Sequence, residues 1–154
     1  MDIEQAKRIF PRAASEEWLT ELIEQIPTIG VDTPVEEATL CAEVGHECSG
    51  FSRMTESLYY TAKRLTEVWP SRFRMPLPGE SMTVSQFSDK KRNPHYYEKN
   101  SERLGNYIYG NRLGNGDETS GHGFMYLGRG PTMLTGLKNY TGAMSYVKVD
   151  IVNY

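Results

Sequence analysis

Residues 33–51 read TPVEEATLCAEVGHECSGF, and this stretch decides the fold. A threonine cap followed by proline at the first helical position is typical of a helix start, and two glutamates in the first turn suit the positive end of the helix dipole. Apolar residues then recur as far as Gly45. The pattern predicts a long, largely apolar helix from Thr33–Pro34 to Gly45, near the centre of the fold.

Further helices are predicted on both sides of this one. Glycine recurs between Gly105 and Gly136 too often for helix interiors, which predicts turns and short strands in that segment. The other predicted helices are Asp2–Phe10, Ser15–Ile26, Leu58–Val68 and Asn93–Tyr107. The expected fold is therefore mainly α: a single helical domain over residues 1–154 with a glycine-rich lobe of turns and short strands.

The composition is that of one folded domain without a nucleic-acid partner. The chain has 154 residues, of which 38% are apolar and 24% charged, and its formal net charge is −3, whereas dedicated nucleic-acid binders are usually strongly basic. The densest basic cluster, Lys90–Arg92, fits a solvated loop better than a phosphate contact. No apolar run reaches the roughly 18 residues that a membrane span needs, so no membrane insertion is expected. The acidic N-terminus lacks the apolar core of a signal peptide, and we expect a cytoplasmic protein.

Two motif fragments fall short of metal or phosphate sites. His46-Glu47 begins the zinc pattern His-Glu-x-x-His, but residue 50 is glycine, and the glycine run 123–129 lacks the Lys-Ser/Thr pair of a phosphate loop. Cys41 and Cys48 lie about 10.5 Å apart on one helix, too far for a disulfide. We expect reduced, packed thiols, with a thiol nucleophile beside His46 as the less favoured alternative. Neither a metal nor a cofactor is expected.

Glu47 and Glu56 are the candidates for acid–base chemistry. Glu47 leaves the apolar helix beside Val44 and Phe51, so partial desolvation is expected to raise its pKa, as a general acid requires, whereas Glu56 has polar neighbours and is expected to stay ionised. A continuous helix would separate the two by about 13.5 Å and a strand by roughly 30 Å, so the chain must turn back, and Ser49–Gly50 supplies the break. Spacing alone leaves open that both are ordinary surface residues.

Further motifs follow in order along nearly the whole chain. After AEVGHECSGF at 42–51 come ESLYY at 56–60, WPSRF at 69–73, NP at 93–94, YGNRLGNGD at 109–117, SGHG at 120–123, YLGRGP at 126–131, LTG at 134–136 and NY at 139–140. Together these motifs resemble glycoside hydrolase family 19, and within it the bacteriophage endolysin branch.

The resemblance implies a lysozyme-like helical fold and an inverting attack on a β-1,4 bond beside an N-acetylated sugar. It makes Glu47 the general acid and Glu56 the general base, gives Thr135 a part in holding the attacking water, and places Asn139 on the sugar. The alternatives are that Thr135 caps a turn and that Asn139 bonds only to backbone. Arg112 and Arg129 are expected to hold the glycine-rich lobe together, because arginine can bind several carbonyls at once.

The implied enzyme is an endolysin, a muramidase whose partner is peptidoglycan and which stays in the host cytoplasm until a holin-type lesion admits it to the wall. Two features depart from the family pattern: Met133 stands where the family usually has Gln, and only Thr141–Tyr154 remain where further helices normally follow. We therefore expect the C-terminal part of the pattern to be missing. The closing segment, Tyr146–Tyr154, alternates apolar and polar residues. The alternatives are a chitinase of the same fold and a truncated, inactive relative that only binds cell-wall glycan. The oligomeric state stays open.

Overall fold

The computed structural model describes residues 1–147 and is mainly helical, as the sequence predicts. The α-helices in this part of the chain are α1 (Ile3–Ile9), α2 (Glu16–Gln25), α3 (Pro34–Glu47), α4 (Ala62–Val68), α5 (Pro94–Tyr97), α6 (Ser101–Tyr109), α7 (His122–Met125) and α8 (Leu137–Val147). Short 3-10 turns cover Ile26–Ile29 and Glu118–Ser120. Residues 148–154, which hold most of the alternating C-terminal segment, lie outside the described residues.

Side-chain caps explain where the first helices begin. The Asp2 carboxylate accepts from the Gln5 amide at the start of α1, and the Ser15 hydroxyl accepts from the Glu17 amide at the start of α2. At α3, Thr33 and Glu36 form a reciprocal capping box, and Pro34 takes the first helical position. The predicted start of α3 is therefore confirmed, and the helix continues two residues beyond Gly45.

The predicted burial of α3 is wrong. Cys41 and Val44 are its buried residues, whereas Val35 keeps 75% of its surface exposed. The apolar residues of this helix are spread around its axis, so one narrow stripe packs and the remainder faces solvent.

Of two other predicted helices, one begins later in the structure and one is divided. Residues 58–61 are not helical, and α4 begins only after Thr61, whose hydroxyl caps it. The helix expected over Asn93–Tyr107 is divided into α5 and α6, because Lys99 adopts a left-handed φ of 53° and interrupts the hydrogen-bond series.

The glycine-rich segment forms turns, the short helix α7 and a 3-10 turn. In place of the expected short strands, the described residues here form isolated β-bridges, with Thr55 and Leu134 each paired to Arg129. Gly130 and Met133 both have positive φ, which reverses the chain too soon for a longer ladder.

The chain divides into two compact units. Unit 1 comprises Met1–Glu56 and Gly128–Thr135, and its core includes Phe10, Leu19 and Phe51. Unit 2 comprises Ser57–Leu127 and Gly136–Tyr154, and an aromatic core around Phe73 and Tyr97 fills it. Within residues 1–147, no helix is both long enough and apolar enough to span a bilayer.

Candidate active site

Glu47 is the last residue of α3 and belongs to unit 1. Val44 and Cys48, one helical turn apart, take the buried positions, and the Glu47 side chain between them is exposed. The partial desolvation expected for this carboxyl group is therefore wrong for the described structure, because its apolar neighbours point into the core and leave it in solvent.

The chain turns back directly after Glu47, at the break expected at Ser49–Gly50. The Gly50 amide donates to the Gly45 carbonyl at 2.7 Å and the Ser49 amide to the His46 carbonyl at 3.4 Å, which together form a Schellman motif. Ser49, Gly50 and Phe51 all have left-handed φ values, of 54°, 68° and 57°. Three such residues in succession reverse the direction of the chain.

Two contacts of Phe51 hold this reversal against the core. Its ring lies 4.9 Å from that of Phe10, edge to face, and its amide donates to the sulfur of Cys48 at 3.2 Å. The Cys48 thiol in turn donates to the Val44 carbonyl at 3.0 Å. Cys41 and Cys48 are free and buried, which gives both thiols packing roles, and burial raises the pKa of Cys41.

Glu56 lies on the returning arm, also in unit 1. Its amide donates to the Gly128 carbonyl at 2.8 Å, and the Gly130 amide donates to the Met54 carbonyl at 2.9 Å. These bonds flank the bridge between Thr55 and Arg129. Glu56 is partly buried, and backbone pairing fixes its main chain.

Thr135 and Glu56 both lie beside Gly128. A Cβ atom built on Gly128 would lie 3.1 Å from the Thr135 hydroxyl oxygen and 3.4 Å from Oε2 of Glu56. The Thr135 hydroxyl donates to the Met133 carbonyl at 2.8 Å, the local bond that a turn residue is expected to make. The structure thus brings a carboxylate and a hydroxyl to one point, where the absence of a side chain at Gly128 leaves room for them.

Asn139 lies in the first turn of α8, in unit 2, and is exposed. The backbone amide of Asn139 donates to the Gly136 carbonyl at 3.0 Å. Sequence reasoning missed Gly128, although its place in the motif YLGRGP, one residue from the arginine that pairs with Thr55, is a signal for a close backbone approach.

Among the described residues, no three or more His, Cys, Asp or Glu side chains lie close enough together to hold a metal ion. The chemistry that the arrangement in unit 1 can perform is proton transfer by carboxylates, assisted by a hydroxyl group.

No family model matches the chain. The chain is similar to a protein of Haemophilus influenzae named glycosyl hydrolase family 19 domain-containing protein, with 34% identity over 144 residues. The match covers 94% of this chain and 64% of that protein. The chain therefore spans a little under two thirds of the length of the curated relative that it matches.

Proposed function

This chain belongs to glycoside hydrolase family 19, and we propose that it is a glycosidase that cleaves β-1,4 bonds of bacterial peptidoglycan as an endolysin-type muramidase. The observation that carries the proposal is the approach of the Glu56 carboxylate and the Thr135 hydroxyl to one point beside Gly128. An inverting glycosidase needs such a polar pair to hold and deprotonate a water molecule on the face opposite the leaving group.

The hydrogen bonds favour this use of Thr135. Since its hydroxyl proton is donated to the Met133 carbonyl, the hydroxyl oxygen can meet a water molecule only as an acceptor. A water that donates one proton to Thr135 and the other to Glu56 keeps a lone pair directed away from both, toward the anomeric carbon. Glu56 would then accept the proton that the water loses as the new C–O bond forms.

Glu47 would supply the opposite proton transfer. As the glycosidic bond breaks, the leaving oxygen takes a proton from the Glu47 carboxyl group. In the described structure this side chain is exposed, so a bound sugar would be the group that excludes water from it. The turn at Ser49–Gly50 keeps both glutamates within unit 1.

We propose that the Asn139 side chain contacts the sugar, because an exposed side-chain amide in the first turn of α8 can both donate to and accept from an N-acetyl group.

The proposal includes release of the protein to the cell wall through a holin-type lesion. A lysis assay on intact, permeabilised and holin-expressing Gram-negative cells tests this release. Release of reducing ends from chitin oligomers but not from purified peptidoglycan would instead make the protein a chitinase.

The test replaces each carboxylate by its amide. Glu47→Gln and Glu56→Gln should each lower the release of reducing ends from peptidoglycan by about 10²–10⁴-fold, without a change in Tm. Glu43→Gln is the matched control, because Glu43 is an exposed glutamate one turn earlier on α3. The first product seen by proton NMR should be the α-anomer.

Full activity of the Glu47→Gln or Glu56→Gln protein would overturn the assignment of the acid or the base. A β-anomer formed first would contradict the inverting mechanism. Binding of glycan by the unaltered protein with no turnover, even at high protein concentration, would identify an inactive glycan-binding relative.

A further inference from the structure

Unit 2 contains a cavity of about 470 Å³ beside the ring of Tyr107. Its lining is dominated by charge, and the charged residues are Arg72, Arg92, Arg112, Asp117 and Glu118. None of these residues belongs to the acid–base pair proposed above. With three guanidinium groups against two carboxylates, the lining carries a net charge of +1 in a molecule whose net charge is −3.

Both acids of the cavity are engaged by protein donors. One oxygen of Glu118 accepts from Arg92 at 2.7 Å, and the other accepts from the Tyr97 hydroxyl at 2.7 Å. Asp117 accepts from the hydroxyl and the amide of Thr119 and from the amide of Ser120, bonds that lower its pKa and keep it ionised. Glu118 therefore balances the charge of Arg92, and Asp117 orders the turn that forms the adjoining wall of the cavity.

The other two arginines have no acidic partner in residues 1–147. The Arg72 guanidinium lies 5.8 Å from the centre of the Tyr107 ring, and the Arg112 guanidinium donates to the Ile108 carbonyl at 3.4 Å. That bond matches the expected carbonyl-binding role of Arg112, but a guanidinium has five donors and one long bond engages few of them. Arg72 and Arg112 thus bring two positive charges without acidic partners to the same cavity.

We propose that this cavity binds a carboxylate on the peptide stem of peptidoglycan. Guanidinium groups pair with carboxylates through two parallel hydrogen bonds. The Arg92 guanidinium lies 4.6 Å from the centre of the Tyr107 ring, so this ring helps to position the arginines of the cavity. Chitin carries no carboxylate, so the cavity would distinguish the two polymers. This inference rests on the proposed function for its substrate class, but binding can be measured without turnover.

The test measures binding of a sugar-free stem tetrapeptide with free carboxylates, and of the same peptide with its carboxylates amidated, by NMR titration of the unaltered protein. The free acid should bind, with chemical-shift changes at Tyr107 and its neighbours, and the amidated peptide should bind at least tenfold more weakly. Arg72→Gln and Arg112→Gln should each weaken binding of the acid by about threefold to tenfold. Arg64→Gln, an exposed arginine on α4 outside the cavity, removes the same charge and should have no effect.

Equal binding of the acid and the amide, or unchanged affinity in both cavity variants, would overturn the inference. Equally tight binding of inorganic phosphate would identify a general anion site and would also overturn the stem-peptide assignment. The proposed function can fail independently of this inference. If the unaltered protein releases no reducing ends but binds the free tetrapeptide through Arg72 and Arg112, the proposed glycosidase activity is refuted and the proposed carboxylate site is supported.

Discussion

At the scale of single residues, Gly128 leaves open the space beside which the Glu56 and Thr135 side chains both lie. Its φ lies outside the left-handed region, so the backbone conformation does not itself require glycine here. The reason for glycine is space, since a Cβ would lie 3.1 Å from the Thr135 hydroxyl and 3.4 Å from both Cβ and Oε2 of Glu56. At such distances the neighbouring side chains must shift by a few tenths of an ångström.

Gly128→Ala should therefore reduce kcat on peptidoglycan by about tenfold to a hundredfold and change Tm little, because small misplacements of catalytic groups are costly to the rate. Gly142→Ala is the matched control: this glycine lies in α8, and among the described residues an added Cβ would meet no heavy atom within 4 Å outside its own helix backbone. The control should keep full activity and equal or slightly higher stability, since alanine favours helices. Steady-state kinetics and thermal unfolding check both proteins. A normal kcat in the Gly128→Ala protein would contradict the proposed role of Glu56 and Thr135 in holding the water molecule.

At the scale of elements, the end of α3 carries a residue that its backbone disfavours. Ser49 takes the left-handed position of the Schellman motif, which glycine usually occupies. Its side chain accepts one exposed bond from Arg53 at 3.3 Å, which offsets little of the strain.

Ser49→Gly should raise the free energy of unfolding by about 1 kcal/mol, measured by urea denaturation, because it removes the left-handed penalty of a residue with a Cβ. Gly50→Ala should lower it by about the same amount. Apart from its chain neighbours, no heavy atom of residues 1–147 lies within 4 Å of the Cβ that the Gly50→Ala variant adds, so the effect of this variant reports backbone strain. Changes of the same sign in the two variants would contradict this account.

The sequence predicted the elements whose signals lie in neighbouring residues, but not the element boundaries that depend on contacts with residues distant in the chain. The start of α3 depends on Thr33 and its neighbours in the same turn, and it is confirmed. The break between α5 and α6 depends on the amide of Lys99, which donates to the Tyr60 carbonyl, and on Glu98, which accepts from the Ala62 amide 36 residues earlier. Such contacts produce no periodic pattern in the sequence, so the sequence does not show where the predicted helix ends.

At the scale of the whole molecule, the candidate site also has one part that local sequence signals predict and one part that they do not. The reversal after Glu47 could be predicted, because glycine and serine at 49–50 mark a break. The meeting of Glu56 with Thr135 could not be derived from spacing, because it depends on pairing between segments more than seventy residues apart. Only the resemblance of the ordered motifs indicated Thr135.

Stability in acid is a further property of the whole molecule, and Arg74 is expected to contribute to it. Its guanidinium forms a bidentate pair with Glu80 at 2.6 and 2.8 Å, a bond with Asp89 at 2.7 Å, and stacks 3.9 Å from the centre of the Phe87 ring. The hydrogen bonds from Arg74 lower the pKa of Glu80 below its ordinary 4.5 and that of Asp89 below its ordinary 3.8.

A carboxyl group whose pKa is lower in the folded state stabilises the protein above its unfolded pKa, and the stabilisation is lost as the pH falls through the folded pKa. Arg74→Gln should therefore lower Tm most at pH 7, and its difference from the unaltered protein should narrow as the pH falls below about 4. Arg64→Gln breaks the exposed pair with Glu67 and should change Tm little at either pH. Calorimetric scans of the three proteins between about pH 3 and 7 make the comparison. An Arg74→Gln deficit of equal size at both ends of that range would mean that Arg74 acts through its packing on Phe87 instead of through the two carboxylates.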